Sequence, residues 1–340
     1  MSTTLPRFAA AGPIDASVRH PVSCLLAHSL GWLAVGGLLT LVHTTQLHSP
    51  AFLAQYAWTT FGRLQAAGET ALVYGWAANA GFAVALWLLA RLGGGPIRGG
   101  SIALVAALFW NLGVLLGVGG ICAGDLTSFP LLQAPAYAQP LLLVAGAALG
   151  TVAVLAWRDR ETGPAYASHW YAVAAALVFP WVYSAAQALL VWTPVRGVMA
   201  PLVAAWAGQN LLGVWLAALV LAAAYYLVPK ITGRTLPLYG LAAGAFWTLL
   251  VFAPWTGGRL FSDGPVPIWV SAVGILASCM LLPHFLLVGV NLQAAWLNPT
   301  RSSALRFVAL GLTAYLVWGG LGAVLALRDV AYVAQLTYLG

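Results

Sequence analysis

The sequence predicts an all-α fold, a polytopic membrane helix bundle of about nine transmembrane helices. Three observations predict it. Hydrophobic residues make up 62% of the 340 and charged residues only 6%, with a mean hydropathy of +0.90, whereas a soluble domain carries about a quarter charged residues. The apolar residues fall in nine runs, each near the ~20 residues a helix needs to cross a bilayer. The 14 Lys and Arg, against 7 Asp and Glu, sit singly in the connectors, as topology signals do. A nucleic-acid surface would gather them on one face, so no nucleic-acid partner is expected.

The elements follow in order. Residues 1–20, MSTTLPRFAAAGPIDASVRH, are too polar for the apolar core of a signal peptide and form a cytoplasmic N-terminal segment. Residues 21–340 form a single transmembrane helical domain. Its spans are 21–41, 70–92, 101–121, 139–157, 167–192, 201–228, 238–255, 268–291 and 304–327. Connectors such as GGGPIRGG (93–100) and KITGRTLP (230–237) carry turn chemistry. The aromatic stretch 46–69 is expected at the interface before the second span.

The Lys/Arg bias of the connectors sets the orientation. Ten basic residues share one side: Arg7, Arg19, Arg91, Arg98, Arg158, Arg160, Lys230, Arg234, Arg301 and Arg306. Four share the other: Arg63, Arg196, Arg259 and Arg328. The N-terminus is therefore expected in the cytoplasm and, after nine spans, the C-terminus outside. Trp157, Trp170, Trp192, Tyr225, Tyr226, Trp255 and Trp269 fall near span ends, where interfacial anchoring accounts for them. Cys24, Cys122 and Cys279 show no metal spacing and read as buried thiols.

Polar groups inside the spans are the candidates for function, because hydrocarbon cannot satisfy them. They are His28, Asn79, Asn111, His169, Gln187, Gln209, Asn210, His284 and Asn291. The simplest role is a hydrogen bond to a neighbouring helix, worth about 0.6 kcal/mol on average, and it is expected for Asn79, Asn111 and Gln187. No carboxylate falls deep in a predicted span. Asp125, Asp159, Glu161, Asp263 and Asp329 belong to connectors and Glu69 to a span edge, so a carboxylate proton relay has no carrier. His28, His169 and His284 occur one per span, without the paired spacing of a haem or metal site. His43 and His48, at the outer edge of the first span, are expected to see water. A cross-bundle bis-histidine haem is the alternative to hydrogen-bonded structural histidines.

Several stretches carry a resemblance. FGRLQAAGETALVYGWAANAGFAVALWLLARL, SHWYAVAAALVFPWVYSAAQ, WAGQNLLGVWLAALVLAAAYYLVPKITGRTLPLYG and FWTLLVFAPWTGGRLFSDGPVPIW resemble the second, fifth, sixth and seventh spans of one family. That family is subunit I of the heme–copper oxidases, and within it the C family of high-affinity, cytochrome-c-linked enzymes. The resemblance runs from about Ala57 onward and implies the subunit-I bundle, haem and copper cofactors, and cytochrome c oxidase activity. It also implies a bacterial inner-membrane location.

The ligands that the resemblance implies are replaced. The pattern F-G-R-L-x-x-x-H places a haem histidine where this chain has Gly68. W-x-G-H-N places a copper histidine where WAGQN has Gln209, beside Asn210. A His-His pair four residues after a Trp corresponds to Arg259 and Leu260. The redox tyrosine of the family is matched to Tyr239, whose coupling partner would be Gln209. The remaining haem ligands belong to a tenth span, and the chain, ending at VAQLTYLG, is expected to stop before it. Copper and haem iron need imidazole donors; glycine, leucine and arginine offer none.

The expectation is therefore a cofactor-depleted relative of cytochrome c oxidase subunit I. It would act as a structural, assembly or regulatory membrane component linked to respiration, with no catalytic residue, no metal ligand and no cofactor of its own. Its partners would be the lipid bilayer, other respiratory subunits or a cytochrome c. Two alternatives stand beside it: a functional terminal-oxidase redox subunit holding haem, and a channel or transporter using the polar positions.

Overall fold

Hydrocarbon leaves backbone N–H and C=O groups to be paired within the chain, so helices must carry an apolar sequence across a bilayer. The computed structural model describes residues 11–160, 163, 165–262, 264–297 and 302–334. Among them no strand occurs, and nine helices are long and apolar enough to span a membrane. They are α1 (Gly12–His48), α2 (Phe61–Gly93), α3 (Gly100–Ala123), α4 (Gln139–Arg158) and α5 (Ala167–Trp192), followed by α6 (Met199–Thr232), α7 (Tyr239–Phe261), α8 (Ile268–Leu297) and α9 (Ser303–Val324). A short α10 (Arg328–Ala334) follows. The expectations for Arg7, Glu161, Asp263, Arg301 and residues 335–340 lie outside the described residues.

The two largest shifts from the expected boundaries have one reason. Hydropathy marks where a helix is oily, whereas backbone hydrogen bonding carries it into polar flanks. The first helix already begins at Ala11, so Asp15 and Arg19 of the expected N-terminal segment belong to it, and Pro21 lies inside it. α2 begins at Phe61 rather than 70, and of the expected interfacial stretch only residues 49–60 connect the two helices. Glu69 is accordingly not at a helix edge. It lies roughly 12 Å along α2 from Phe61 and accepts a hydrogen bond from Gln133 Nε2 at 2.7 Å.

The chain divides into two compact units, Met1–Gln187 and Ala188–Gly340. In the first unit, small residues let helices approach. A Cβ on Gly75 of α2 would lie 2.5 Å from Trp32 Cγ of α1, and one on Gly150 of α4 would lie 2.5 Å from Ala176 O of α5. The core is aromatic: Trp110 meets Phe82 and Phe179 at centroid distances of 5.0 and 5.2 Å, and Phe179 stacks on Tyr183 at 4.9 Å. One end gathers polar pairs, Arg91–Asp15 at 3.0 Å and Arg98–Asp159 at 3.8 Å. At the other, Arg63 Nη1 donates to Cys122 O at 3.3 Å.

In the second unit, α7 changes character at Ala253. From there to Phe261 it is a 3₁₀ helix of nine residues, longer than the three or four usual for that tighter winding. Its neighbours hold it. A Cβ on Gly258 would lie 2.5 Å from Val270 O of α8, and one on Gly274 would lie 2.2 Å from Arg259 N. Only glycines permit this backbone-to-backbone approach. Outward faces are apolar, with Leu30, Leu38, Ile268, Phe307 and Leu310 exposed, a surface that water penalises and hydrocarbon does not.

Candidate functional site

Several of the positions singled out by the sequence sit just before a change of helical winding. Gly68 precedes a π-helical stretch, Ala71–Ala77, and Gln209–Asn210 precedes another, Leu211–Leu216. Such wide turns are frequent at functional sites. In α2 its carbonyls are taken up by side chains: Trp110 Nε1 donates to Tyr74 O at 2.9 Å, Ser29 Oγ to Trp76 O at 3.0 Å and Asn79 Nδ2 to Gly75 O at 2.5 Å.

Gly68 faces α1. A Cβ added to it would lie 3.1 Å from Thr40 Oγ1 and 3.6 Å from Leu39 Cβ. A whole imidazole would have to displace the α1 backbone, since Thr40 N is also within 3.5 Å. Close helix packing thus occupies the side of α2 from which a histidine would project.

Deeper in the same unit the amides pair. Asn79 Nδ2 donates to Asn111 Oδ1 at 3.1 Å, and Asn111 Nδ2 returns a bond to Asn79 Oδ1 at 3.0 Å. Trp32 Nε1 adds a bond to Asn111 Oδ1 at 3.0 Å, so one amide ties α1, α2 and α3. Gln187 departs from the same expectation: it is fully buried, and neither atom of its amide finds a partner. The winding of α5 changes immediately after it, at Ala188.

In the second unit Gln209 and Arg259 line one small cavity of about 20 Å³, together with Thr256, Ser278, Phe285 and Trp318. Asn210, fully buried, points elsewhere: its Nδ2 donates to Trp206 O at 2.8 Å and to Pro254 O of α7 at 3.4 Å. Leu260 is 52% exposed and turned away. The residues at the copper-ligand positions therefore offer a cation, an outward leucine and an amide, a donor set that repels a metal cation rather than binding one.

Tyr239 needs a correction. It opens α7, whereas Arg259 lies two residues before that helix ends at Phe261, so about 30 Å of axis separates them. Gln209 shares its cavity with Arg259, so Tyr239 does not lie beside Gln209. It is partly exposed, at the start of a helix.

The histidines do not converge. His284 is fully buried with both ring nitrogens engaged, Nδ1 donating to Ala245 O at 2.7 Å and Nε2 accepting from Tyr315 Oη at 2.7 Å. His169 packs against Trp157 and Tyr166, and its Nδ1 accepts from Tyr166 N at 3.2 Å. His28 donates from Nδ1 to Cys24 O at 2.8 Å and borders a cleft of about 520 Å³ with Trp32 and Asn111. His43, expected to see water, packs edge-on to Phe61 with its Nδ1 buried, while His48 is exposed. Asn291 Oδ1 accepts from Leu238 N at 2.9 Å. Among the described residues no three His, Cys, Asp or Glu side chains gather as a metal site would need.

Sequence reasoning missed Trp32, Tyr315, Thr256, Ser278 and Gln133, and it placed Glu69 at a span edge. Trp32 and Tyr315 were countable as aromatics away from span ends, where anchoring does not explain them. Serine and threonine hydroxyls bond within their own helix so often that they give no signal.

These positions acquire their meaning from kinship. Residues 21–339 match the family model described as Cytochrome C and Quinol oxidase polypeptide I. The chain belongs to that family. Within the heme–copper oxidase superfamily its relatives are of the C type. It is 24% identical over 316 residues to the cbb3-type cytochrome c oxidase subunit CcoN1 of Stutzerimonas stutzeri, covering 90% of this chain and 67% of that one. It is 22% identical over 321 residues to a cytochrome c oxidase subunit 1 homolog of Azorhizobium caulinodans, covering 91% of this chain and 58% of the relative. Cytochrome c oxidase subunit 1 of Rhodobacter capsulatus is 24% identical over 306 residues, 84% of this chain and 56% of its own length. The chain thus spans a little over half to two thirds of the curated relatives it matches. Members of the family normally hold haem and copper; the residues described above do not fit either group.

Proposed function

We propose that this oxidase-family chain is a cofactor-depleted form of subunit I, a structural, assembly or regulatory component of a respiratory membrane complex. One observation carries the proposal. Where the family's pattern calls for imidazoles, this chain has Gly68 packed under Thr40, Gln209 and Arg259 in a cavity with no imidazole, and an outward Leu260. Imidazole nitrogen is what holds haem iron and copper in such bundles. The charge of Arg259 opposes a metal cation.

The bundle would sit in a bacterial inner membrane with its N-terminus in the cytoplasm, which the Lys/Arg bias supports. Its partners would be other respiratory membrane subunits or a cytochrome c, a reading that membership of the oxidase subunit I family supports. The test uses membranes of the host with and without this gene. Native gels are expected to show a haem-bearing oxidase whose abundance falls without it, while the purified chain consumes no oxygen. Unchanged oxidase assembly would contradict the proposal. Haem absorbance at roughly 400–430 nm, lost on replacing His28, His169 or His284, would make the chain a redox subunit instead.

A further inference from the structure

The cavity at Gln209 has a chemistry of its own. Arg259 reaches into it from the last turn of α7, and no described carboxylate pairs with the guanidinium: the ion pairs among described residues involve Arg91, Arg98 and Arg158. Glycines make the room. Gly322 of α9 lies where a Cβ would come within 3.9 Å of Arg259 Nη2, and Gly213 lies where a Cβ would come within 2.9 Å of Gln209 Nε2. Gly319 seats the Phe285 ring, whose Cζ would lie 2.3 Å from a Cβ there.

The remaining polar groups have already spent their protons. Thr256 Oγ1 donates to Ala253 O at 2.8 Å and Ser278 Oγ to Gly274 O at 2.8 Å. The N–H groups left over belong to Arg259 and to the Gln209 amide, beside the rings of Phe285 and Trp318. A part-buried guanidinium without a counter-charge among the described residues is costly. The space, about 20 Å³, exceeds the roughly 10–15 Å³ that one water needs by the same measure.

We propose that this pocket binds one small inorganic anion, of the size of chloride, held by the Arg259 guanidinium and the Gln209 amide. The inference rests on the reading that no copper is held at this corner. The site has then exchanged a metal cation held by lone pairs for an anion held by N–H donors, and the anion would tie α6 to α7 electrostatically.

The test is thermal unfolding of the purified chain in detergent, at constant ionic strength, with chloride or bromide replacing gluconate. Chloride and bromide are expected to raise the midpoint saturably, and sulfate is expected not to. Arg259→Gln should abolish the response. Should that variant fail to fold, Arg259→Lys and Gln209→Leu carry the test. Each should keep the response with its half-saturating concentration raised about tenfold, the weight of one charge-assisted hydrogen bond.

Indifference of the wild type to chloride would overturn the proposal, as would an unaltered response in all three variants. A response to phosphatidylglycerol nanodiscs in chloride-free buffer, with none to chloride, would assign the guanidinium to a lipid phosphate and overturn it too. Copper measured on the same samples separates the failures. Bound copper defeats the cofactor-depleted reading, whereas a metal-free, anion-indifferent protein defeats this inference alone.

Discussion

Asn111 accepts the Trp32 indole N–H and exchanges two hydrogen bonds with Asn79. Asn111→Leu strands both partners, and a stranded buried group costs about 1–3 kcal/mol. The expected outcome is a lowered unfolding midpoint in detergent. The double variant Asn79→Leu/Asn111→Leu should cost less than the two single changes added together, because neither amide is then left unpaired; strict additivity would contradict the network. His284→Leu should likewise destabilise the second unit while leaving the visible absorption spectrum unchanged, since both ring nitrogens are spent on Ala245 and Tyr315. At this scale the sequence identified the polar residues but not their partners. Asn79 and Asn111 read as interhelical glue, and are; Gln187 carried the same signal and is unpaired. Residue type fixes the demand for a hydrogen bond, while only the three-dimensional register supplies it.

The elements were legible because a bilayer imposes length and oiliness together. All nine spans could be read from hydropathy, yet the polar first turns of α1 and α2 could not, since Asp15, Arg19, Arg63 and Glu69 lower it without breaking a helix. The π turns and the long 3₁₀ stretch of α7 left no trace in periodicity either, for they depend on neighbours that satisfy or press on the backbone. The glycines can test this. Gly274→Ala would drive a methyl to 2.2 Å from Arg259 N, and overpacking of that kind costs about 1–3 kcal/mol. Gly311→Ala, which meets nothing within 4 Å, should be neutral or stabilise α9 by up to about 1 kcal/mol. Equal effects on the unfolding midpoint would show that the α7–α8 contact is not as close as described. Gly68→His should loosen α1 from α2 and bind no haem; a variant that acquired haem absorbance would show that the α1 packing yields readily.

For the molecule as a whole, the basic residues of the connectors predict sidedness. In a background lacking Cys24, Cys122 and Cys279, a cysteine at Thr235 should react with a membrane-impermeant thiol reagent only after the cytoplasmic face is opened. One at Ser128 should react in intact cells, and the opposite pattern would invert the topology. The family could be read from stretches such as FGRLQAAG and WAGQN, and the bundle from nine oily runs of spanning length. At the family's ligand positions the sequence shows only that imidazoles are replaced, and the structure adds what stands there: a helix against Gly68 and a guanidinium beside Gln209. The most direct test is the haem and copper content of the purified chain, measured together by pyridine haemochrome and elemental analysis. The account predicts a colourless protein with neither group at stoichiometric level. About one haem or one copper per chain would contradict it.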